Sequence, residues 1–274
     1  MAKYLIVNAD DFGMCHAANE AINDLVKHGC IQSTTMIMNA PWILEAIQMA
    51  KNFENCSVGV HITHTSEWDT YRWRALTNNN RLKDDQGYFY HFTKDCLKAA
   101  QVSDLVMEAE AQIQYAKQLG VTISHIDNHM KTFIDAPKAY LDLAIAHHVG
   151  CRFSRNDYSK DLVEYADKNQ IPVTDYLNPN SAKFPNDRES IESMKESYRK
   201  MLENLPEGIT EFFTHPAMES DELKAIAPDW KVRVADYEFF KSEEFKEICK
   251  KENIQVISYW DKEIMHDYAT LRIE

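Results

Sequence analysis

This chain of 274 residues has no cluster of basic residues, no long apolar run, no closely spaced cysteines and no flexible linker. Each absence closes off a class of protein. Its 30 Lys and Arg are outnumbered by 43 Asp and Glu, and the formal charge of −13 opposes binding to nucleic acid or an anionic membrane. No stretch approaches the roughly 18 consecutive apolar residues that a membrane-spanning helix requires. The apolar run before Asp10 is too short for the core of a secretory signal. The cysteines (Cys15, Cys30, Cys56, Cys96, Cys151 and Cys249) never fall at a C-x-x-C spacing. Scattered thiols speak against a zinc ribbon or a disulfide framework and for a reducing, cytoplasmic setting. Without repeats, low-complexity tracts or Gly/Ser linkers, residues 1–274 read as one domain.

What is present suits a well-packed α/β protein. Apolar residues make up 45% of the chain, which excludes disorder, and the length allows a sizeable core without disulfides. Thirteen Tyr and five Trp suit a sugar site, because aromatic faces stack on pyranose C–H surfaces, though they serve equally as core or rim residues. Strands are predicted over Tyr4–Ala9, Ser33–Met38, Ser57–Thr63, Val121–Ile126, Cys151–Phe153, Ile209–Thr214 and Ile254–Ser258. Helices are predicted over Ala17–Lys27, Trp42–Lys51, 102–119, Pro137–His148, Ser190–Leu205 and Phe239–Lys250, with Gly29, Gly120 and Gly150 just beyond three of them. Such regular alternation implies parallel strands with outer crossover helices, in either a barrel or a doubly wound sheet. Segments 64–100 and 154–188 fit the alternation poorly and read as lids or substrate loops. The first carries Trp68, Tyr71, Arg72, Trp73 and Arg74, a group suited to gripping a sugar or else an irregular packed excursion.

Four predicted strand ends carry metal-competent side chains: Asn8 to Gly13, Gly59-Val60-His61, His125-Ile126-Asp127-Asn128-His129, and Thr214-His215-Pro216. In parallel α/β folds the C-terminal strand ends form the active-site face. Asp10 and Asp11 can divide labour as ligand and base, or one can cap the following helix while the other is solvated. His61 alone is a ligand or a hydrogen-bonded histidine. In His125-x-Asp127-x-His129 an extended backbone points all three side chains to one face, and a carboxylate beside a ligating histidine can fix its tautomer. His215 is a general acid or a plain loop histidine. One Asp with two His leaves an open position for water, the composition of a catalytic metal centre, and accepts Zn²⁺, Mg²⁺ or Mn²⁺. The remaining histidines have no partner pattern, except that His64 lies close to His61.

The four blocks, in this order, resemble the YdjC-like family of carbohydrate deacetylases, which includes chitooligosaccharide deacetylases. The N-A-D-D-F-G block is here Asn8 to Gly13 without a mismatch; the G-x-H, H-x-D-x-H and H-P blocks follow at Gly59, His125 and His215. The resemblance implies a deformed (β/α) barrel of the polysaccharide deacetylase type. It implies that Asp11, His61 and His125 bind a divalent metal, that Asp10 is the general base and His215 a candidate general acid. Asp127 and His129 would lie behind the ligands or touch substrate. The activity implied is removal of the N-acetyl group of an amino-sugar oligosaccharide by a metal-bound water. The partner is then a small oligosaccharide, with a homodimer unsurprising. Other readings are a different metal-dependent amide or ester hydrolase, a sugar isomerase, or a non-catalytic sugar-binding or regulatory protein. Two departures from the family, Met130-Lys131 after the third block and His64 to Asp69 after the second, fall where substrate would sit and leave the sugar open.

Overall fold

The computed structural model describes residues 2–177, 191–261 and 263–265. The end of the 154–188 segment, the start of the helix predicted at Ser190, and His266 lie outside the described residues. The strands are β1 (Lys3–Phe12), β2 (Ser33–Met36), β3 (Ser57–Ile62), β4 (His125–Asn128), β5 (Gly150–Cys151), β6 (Tyr176–Leu177), β7 (Gly208–Thr214) and β8 (Ile254–Val256). The helices are α1 (His16–Lys27), α2 (Ile43–Ala50), α3 (Thr93–Ala99), α4 (Val102–Gln118), α5 (Pro137–His147), α6 (Lys160–Lys168), α7 (Ile191–Glu203), α8 (Asp221–Ile226), α9 (Trp230–Lys241) and α10 (Glu243–Lys251). No helix among the described residues is long and apolar enough to cross a membrane.

Every strand pairing is parallel, in the order β5-β4-β3-β2-β1-β7-β6. β1 is shared three ways: β7 follows one edge, while β8 takes Lys3 to Leu5 and β2 takes Asn8 to Phe12 on the other. The two ends of the sheet then meet. Cys151 N–H donates to the Pro172 carbonyl (3.0 Å) and Thr174 N–H to the Phe153 carbonyl (3.1 Å), just before β6 begins. Backbone bonds thus curl the sheet into a deformed (β/α) barrel with helices around it, which decides between barrel and open sheet.

Alternation along β1 separates two packed regions. Leu5, Val7 and Ala9 join the large core under the helices, while Ile6 packs inside with Ile209, Ile257 and Tyr259. Tyr259 forms the floor of the barrel, its ring stacked on His125 at 3.9 Å between centroids. Two glycines make room for that stack. A Cβ at Gly59 would stand 2.6 Å from the His125 carbonyl oxygen, and one at Gly150 would stand 2.6 Å from Cδ1 of Tyr259.

Several elements differ from expectation for local reasons. The strand predicted from Val121 begins at His125, because the Gly120 and Val121 amides turn back to the Lys117 and Ala116 carbonyls to close α4. The helix predicted over Phe239–Lys250 is two helices, broken where the Ser242 hydroxyl accepts from Phe245 N–H and starts α10. Segment 64–100 is held down by α4. The buried Glu108 carboxylate accepts from Leu76 N–H (2.9 Å), Thr77 N–H (3.0 Å), the Thr77 hydroxyl (2.6 Å) and Gln112 Nε2 (3.0 Å). Trp73 is buried within the excursion and donates from Nε1 to the Thr65 carbonyl.

Two buried histidines make stability depend on pH. Burial pushes His64 down to about 4 against its hydrogen bond to the Leu105 carbonyl, and pushes His125 down to about 3 against the pull of Asp127. Both folded values lie below the unfolded one, so the unfolded chain takes up the protons first as pH falls. Stability contributed above the unfolded value is lost as pH drops from about 6.5, at up to about 1.4 kcal/mol per pH unit for each histidine. Denaturant unfolding between about pH 7 and 5 should show this loss, and His64→Leu should flatten it. An unchanged slope in that variant would refute the assignment to His64.

Candidate active site

Two consecutive aspartates on a regular strand point to opposite faces. At the end of β1 the register with β2 shifts between Ala9 and Phe12, and Asp11 takes a left-handed φ of 66°. Asp adopts this conformation more readily than most residues, and the bulge brings both carboxylates to one side. Asp10 Oδ2 lies 3.9 Å and Asp11 Oδ1 3.5 Å from His61 Nε2. Neither caps α1, whose N-cap is Cys15 without a side-chain bond.

His61, near the end of β3, stands in register with Asp127 of β4, and its Nδ1 donates to Asp127 Oδ1 at 2.6 Å. His129, just past β4, places Nε2 3.0 Å from Glu67 Oε2. With each far nitrogen donating to a carboxylate, the near ones turn their lone pairs inward. These near atoms, His61 Nε2 and His129 Nδ1, are 3.1 Å apart, and His129 Nδ1 is 3.8 Å from Asp11 Oδ1. Asp11 Oδ1 is buried and accepts no hydrogen bond among the described residues. Three ligand-competent atoms, all within 4.8 Å of one another, fit a divalent cation.

The structure gathers Asp11 and His61 with His129, where the sequence reading placed His125. All three residues of the third block do face the interior, but at different depths. Four residues of extended chain separate His125 from His129 by roughly 13 Å, which puts His125 on the floor. There its ring nitrogens lie 3.1 Å from Asn8 Oδ1 and 2.8 Å from Ser124 Oγ.

Arg152, immediately after β5, organises the carboxylates behind the cluster. It donates from Nη1 to Asp10 Oδ2 (2.7 Å), from Nη2 to Asp10 Oδ1 (2.5 Å), and from Nε to Glu211 Oε1 (2.7 Å); Nη2 also lies 2.9 Å from Asp127 Oδ2. Asn8 Nδ2 donates to Asp10 and the Thr35 hydroxyl to Asp127. Burial raises Asp127, but Arg152 and His61 outweigh it and hold its carboxyl well below the usual range. Burial likewise raises Asp11, and Arg233, whose Nη1 donates to Oδ2 at 2.8 Å, leads the groups that hold it far below. Burial would lower His61, yet Asp127, Asp10 and Asp11 together raise it to about 9. His215, at the end of β7, sets Nε2 3.8 Å from Asp10 Oδ2, and its backbone N–H donates to Asp236 Oδ2 at 2.7 Å.

Of the aromatic and basic group in the excursion, Trp73 stands edge-on to His129 (6.4 Å) and to Trp68 (5.7 Å), and Trp68 lies under the Arg233 guanidinium at 5.6 Å. Arg72 is committed elsewhere: it donates to the Phe89 carbonyl and pairs with Asp84 at 2.8 Å. Sequence reasoning missed Arg152, Arg233, Glu67 and Glu211. Arg152 follows a short strand, so the strand-end rule reaches it. Glu67 lies in the segment that departs from the family. Arg233 and Glu211 leave no local signal.

The sequence profile of the YdjC-like protein family matches residues 4–251. A carbohydrate deacetylase of Thermoanaerobacter pseudethanolicus is 29% identical, with 94% of this chain and 98% of the relative covered. A carbohydrate deacetylase of Thermus thermophilus is 28% identical, covering 86% and 85%. The structure of a putative cellobiose-phosphate cleavage protein from Enterococcus faecalis superposes with a TM-score of 0.77 at 25% identity, covering 95% of this chain and 99% of that one.

The two histidines of the third block give a direct discrimination. His129→Gln should weaken Zn²⁺ or Co²⁺ binding by at least about 100-fold, whereas folded His125→Gln should bind within a few-fold of the parent. Calorimetric titration of both variants checks this, and the reverse ranking would return His125 to the cluster.

Proposed function

Because this chain belongs to the YdjC-like family, we propose that it is a hydrolase that removes the N-acetyl group of an amino-sugar oligosaccharide, with a divalent cation held by Asp11, His61 and His129. The observation that carries the reading is the convergence of three cation-competent donor atoms beside a carboxylate and a histidine that take no part in the triad. The names of the curated relatives support deacetylation of a sugar. A cation in this position would act as a Lewis acid, polarising the acetamide carbonyl and acidifying a water.

The chain's own residues do the rest. Arg152 grips both oxygens of Asp10 and fixes the carboxylate plane, with Oδ2 toward the His61 and His215 ring nitrogens. Asp10 takes the proton of the attacking water, whose oxygen bonds to the carbonyl carbon. His215 gives a proton to the departing nitrogen as the C–N bond breaks, leaving acetate and a free amine. Asp236 fixes the backbone of His215, and the Tyr198 hydroxyl donates to Asp236 in turn. The low exposure of Asp10 and Asp11 keeps bulk water from competing for the developing charge. Trp68 offers an aromatic face for a pyranose ring at the edge of the site.

Acetate release from N,N′-diacetylchitobiose and a panel of N-acetylated sugars tests the reading, with enzyme stripped and reloaded with Zn²⁺, Mg²⁺ or Mn²⁺. Asp11→Asn should lose cation and activity together. Asp10→Asn should keep the cation and lose about 100-fold or more in kcat, and His215→Asn should do the same. Cation-loaded enzyme that releases no acetate from any of the panel would refute the deacetylase assignment.

A further inference from the structure

We infer that Glu67 is a positioning residue of the cluster, holding the His129 ring so that Nδ1, and not Nε2, is the nitrogen offered to a cation. The inference rests on the metal-binding reading above and assigns a role to the excursion that follows β3. His61 and His129 are oriented by the same device with opposite polarity. Asp127 takes the Nδ1–H of His61 and leaves Nε2 inward, whereas Glu67 takes the Nε2–H of His129 and leaves Nδ1 inward. The donor set is therefore mixed, one Nε2 with one Nδ1.

The need for a second orienting carboxylate follows from where His129 sits. His61 is within β3, in register with Asp127 of β4, and Val60 before it is paired with Met36 of β2. His129 has left the sheet, and Met130 and Lys131 after it both take left-handed backbone, with φ of 52° and 56°. A ring on such a turn flips between two orientations unless a side-chain partner selects one. Glu67 is placed to select it. Ser66 N–H donates to the Tyr90 carbonyl (3.0 Å), the Ser66 hydroxyl accepts from Trp73 N–H (3.1 Å), and the Glu67 carbonyl lies 3.2 Å from His91 Nδ1. Trp73 packs edge-on against the His129 ring. An exposed ion pair contributes little to geometry, but the side chains of this pair are only 19% and 10% exposed.

Long-range ¹H–¹⁵N correlation on the metal-free protein at about pH 8 reads the His129 tautomer directly. Zn²⁺ and Co²⁺ titrations against a competing chelator accompany it on the parent, Glu67→Ala and Glu67→Gln. The parent should show protonated Nε2 and bare Nδ1. Glu67→Ala should lose that preference and bind either cation about 10- to 100-fold more weakly, with an unchanged circular dichroism spectrum. Glu67→Gln, which keeps an acceptor oxygen, should restore the tautomer and most of the affinity. A parent His129 protonated on Nδ1, or a Glu67→Ala variant of parental affinity, overturns the inference alone. A parent that takes up neither cation overturns the metal reading and the inference with it.

Discussion

Asp10, Asp11, Asp127 and Glu211 all lie inside the barrel or at its mouth with at most 2% exposure. A carboxylate taken out of water without compensation costs several kcal/mol, so their partners are conditions of folding as well as of chemistry. Arg152 meets most of that requirement with one side chain, reaching Asp10, Asp127 and Glu211 from a single guanidinium. A lysine there would supply one point of charge and could not bridge three acceptors in fixed directions. Arg152 sits where β4 meets the closure of the barrel: its N–H donates to the Ile126 carbonyl of β4 (3.0 Å), while Cys151, Phe153 and Arg155 beside it bond to residues 172–174.

From Arg152 the compensation runs downward to the floor. Glu211 accepts from Arg152 on one oxygen and from the Tyr259 hydroxyl on the other at 2.7 Å, and Tyr259 stacks on His125. Burial raises Glu211 despite Arg152, whereas Asp11 and Asp127 are held low by their partners. The interior is thus graded: an apolar floor, a neutral hydrogen-bonded layer of Asn8, Ser33, Ser57 and His125, and an ionic layer at the mouth. The third block spans the grading. Its three polar residues share a face but occupy three depths: His125 lies in the neutral layer, Asp127 in the ionic layer, and His129 in the cluster beyond it.

That difference shows what the sequence made legible and what it did not. Alternation of strand and helix gave the α/β class, and the resemblance gave the barrel. Neither predicts that β1 would pair with three strands, because a strand's own pattern does not name its neighbours, or that residues 172–175 would close the ring, because that segment lacks strand-like patterning. The strand-end blocks pointed to one end of the barrel, where the structure gathers Asp10, Asp11, His61 and His215. The choice between His125 and His129 turned on depth along a strand, which a period-two pattern leaves undetermined. Arg233 reaches Asp11 across 222 positions of sequence, and no local motif marks such a contact. Arg72 shows the converse, a residue whose company suggested a sugar contact and whose charge is spent on Asp84.

The charge count at the mouth suits a cation better than a further protein group. Asp10, Asp11 and Asp127 face two guanidiniums, and the Arg233 guanidinium also answers Asp229. Negative charge is left in excess where His61 stands, and the rise of His61 to about 9 is the response of an imidazole to that excess. A proton on Nε2 and a divalent cation beside it answer the same surplus, and they compete for one lone pair. A divalent cation would have two advantages: it would carry twice the charge, and it would meet Asp11 Oδ1 and His129 Nδ1 together. A proton on His61 Nε2 has His129 Nδ1 within hydrogen-bond distance of that nitrogen (3.1 Å) and Asp11 Oδ1 at 3.5 Å from it. A third guanidinium would balance the charge but would fill the space needed for substrate. The fold thus leaves positive charge short at the point where Asp10 and His215 stand beside the cluster.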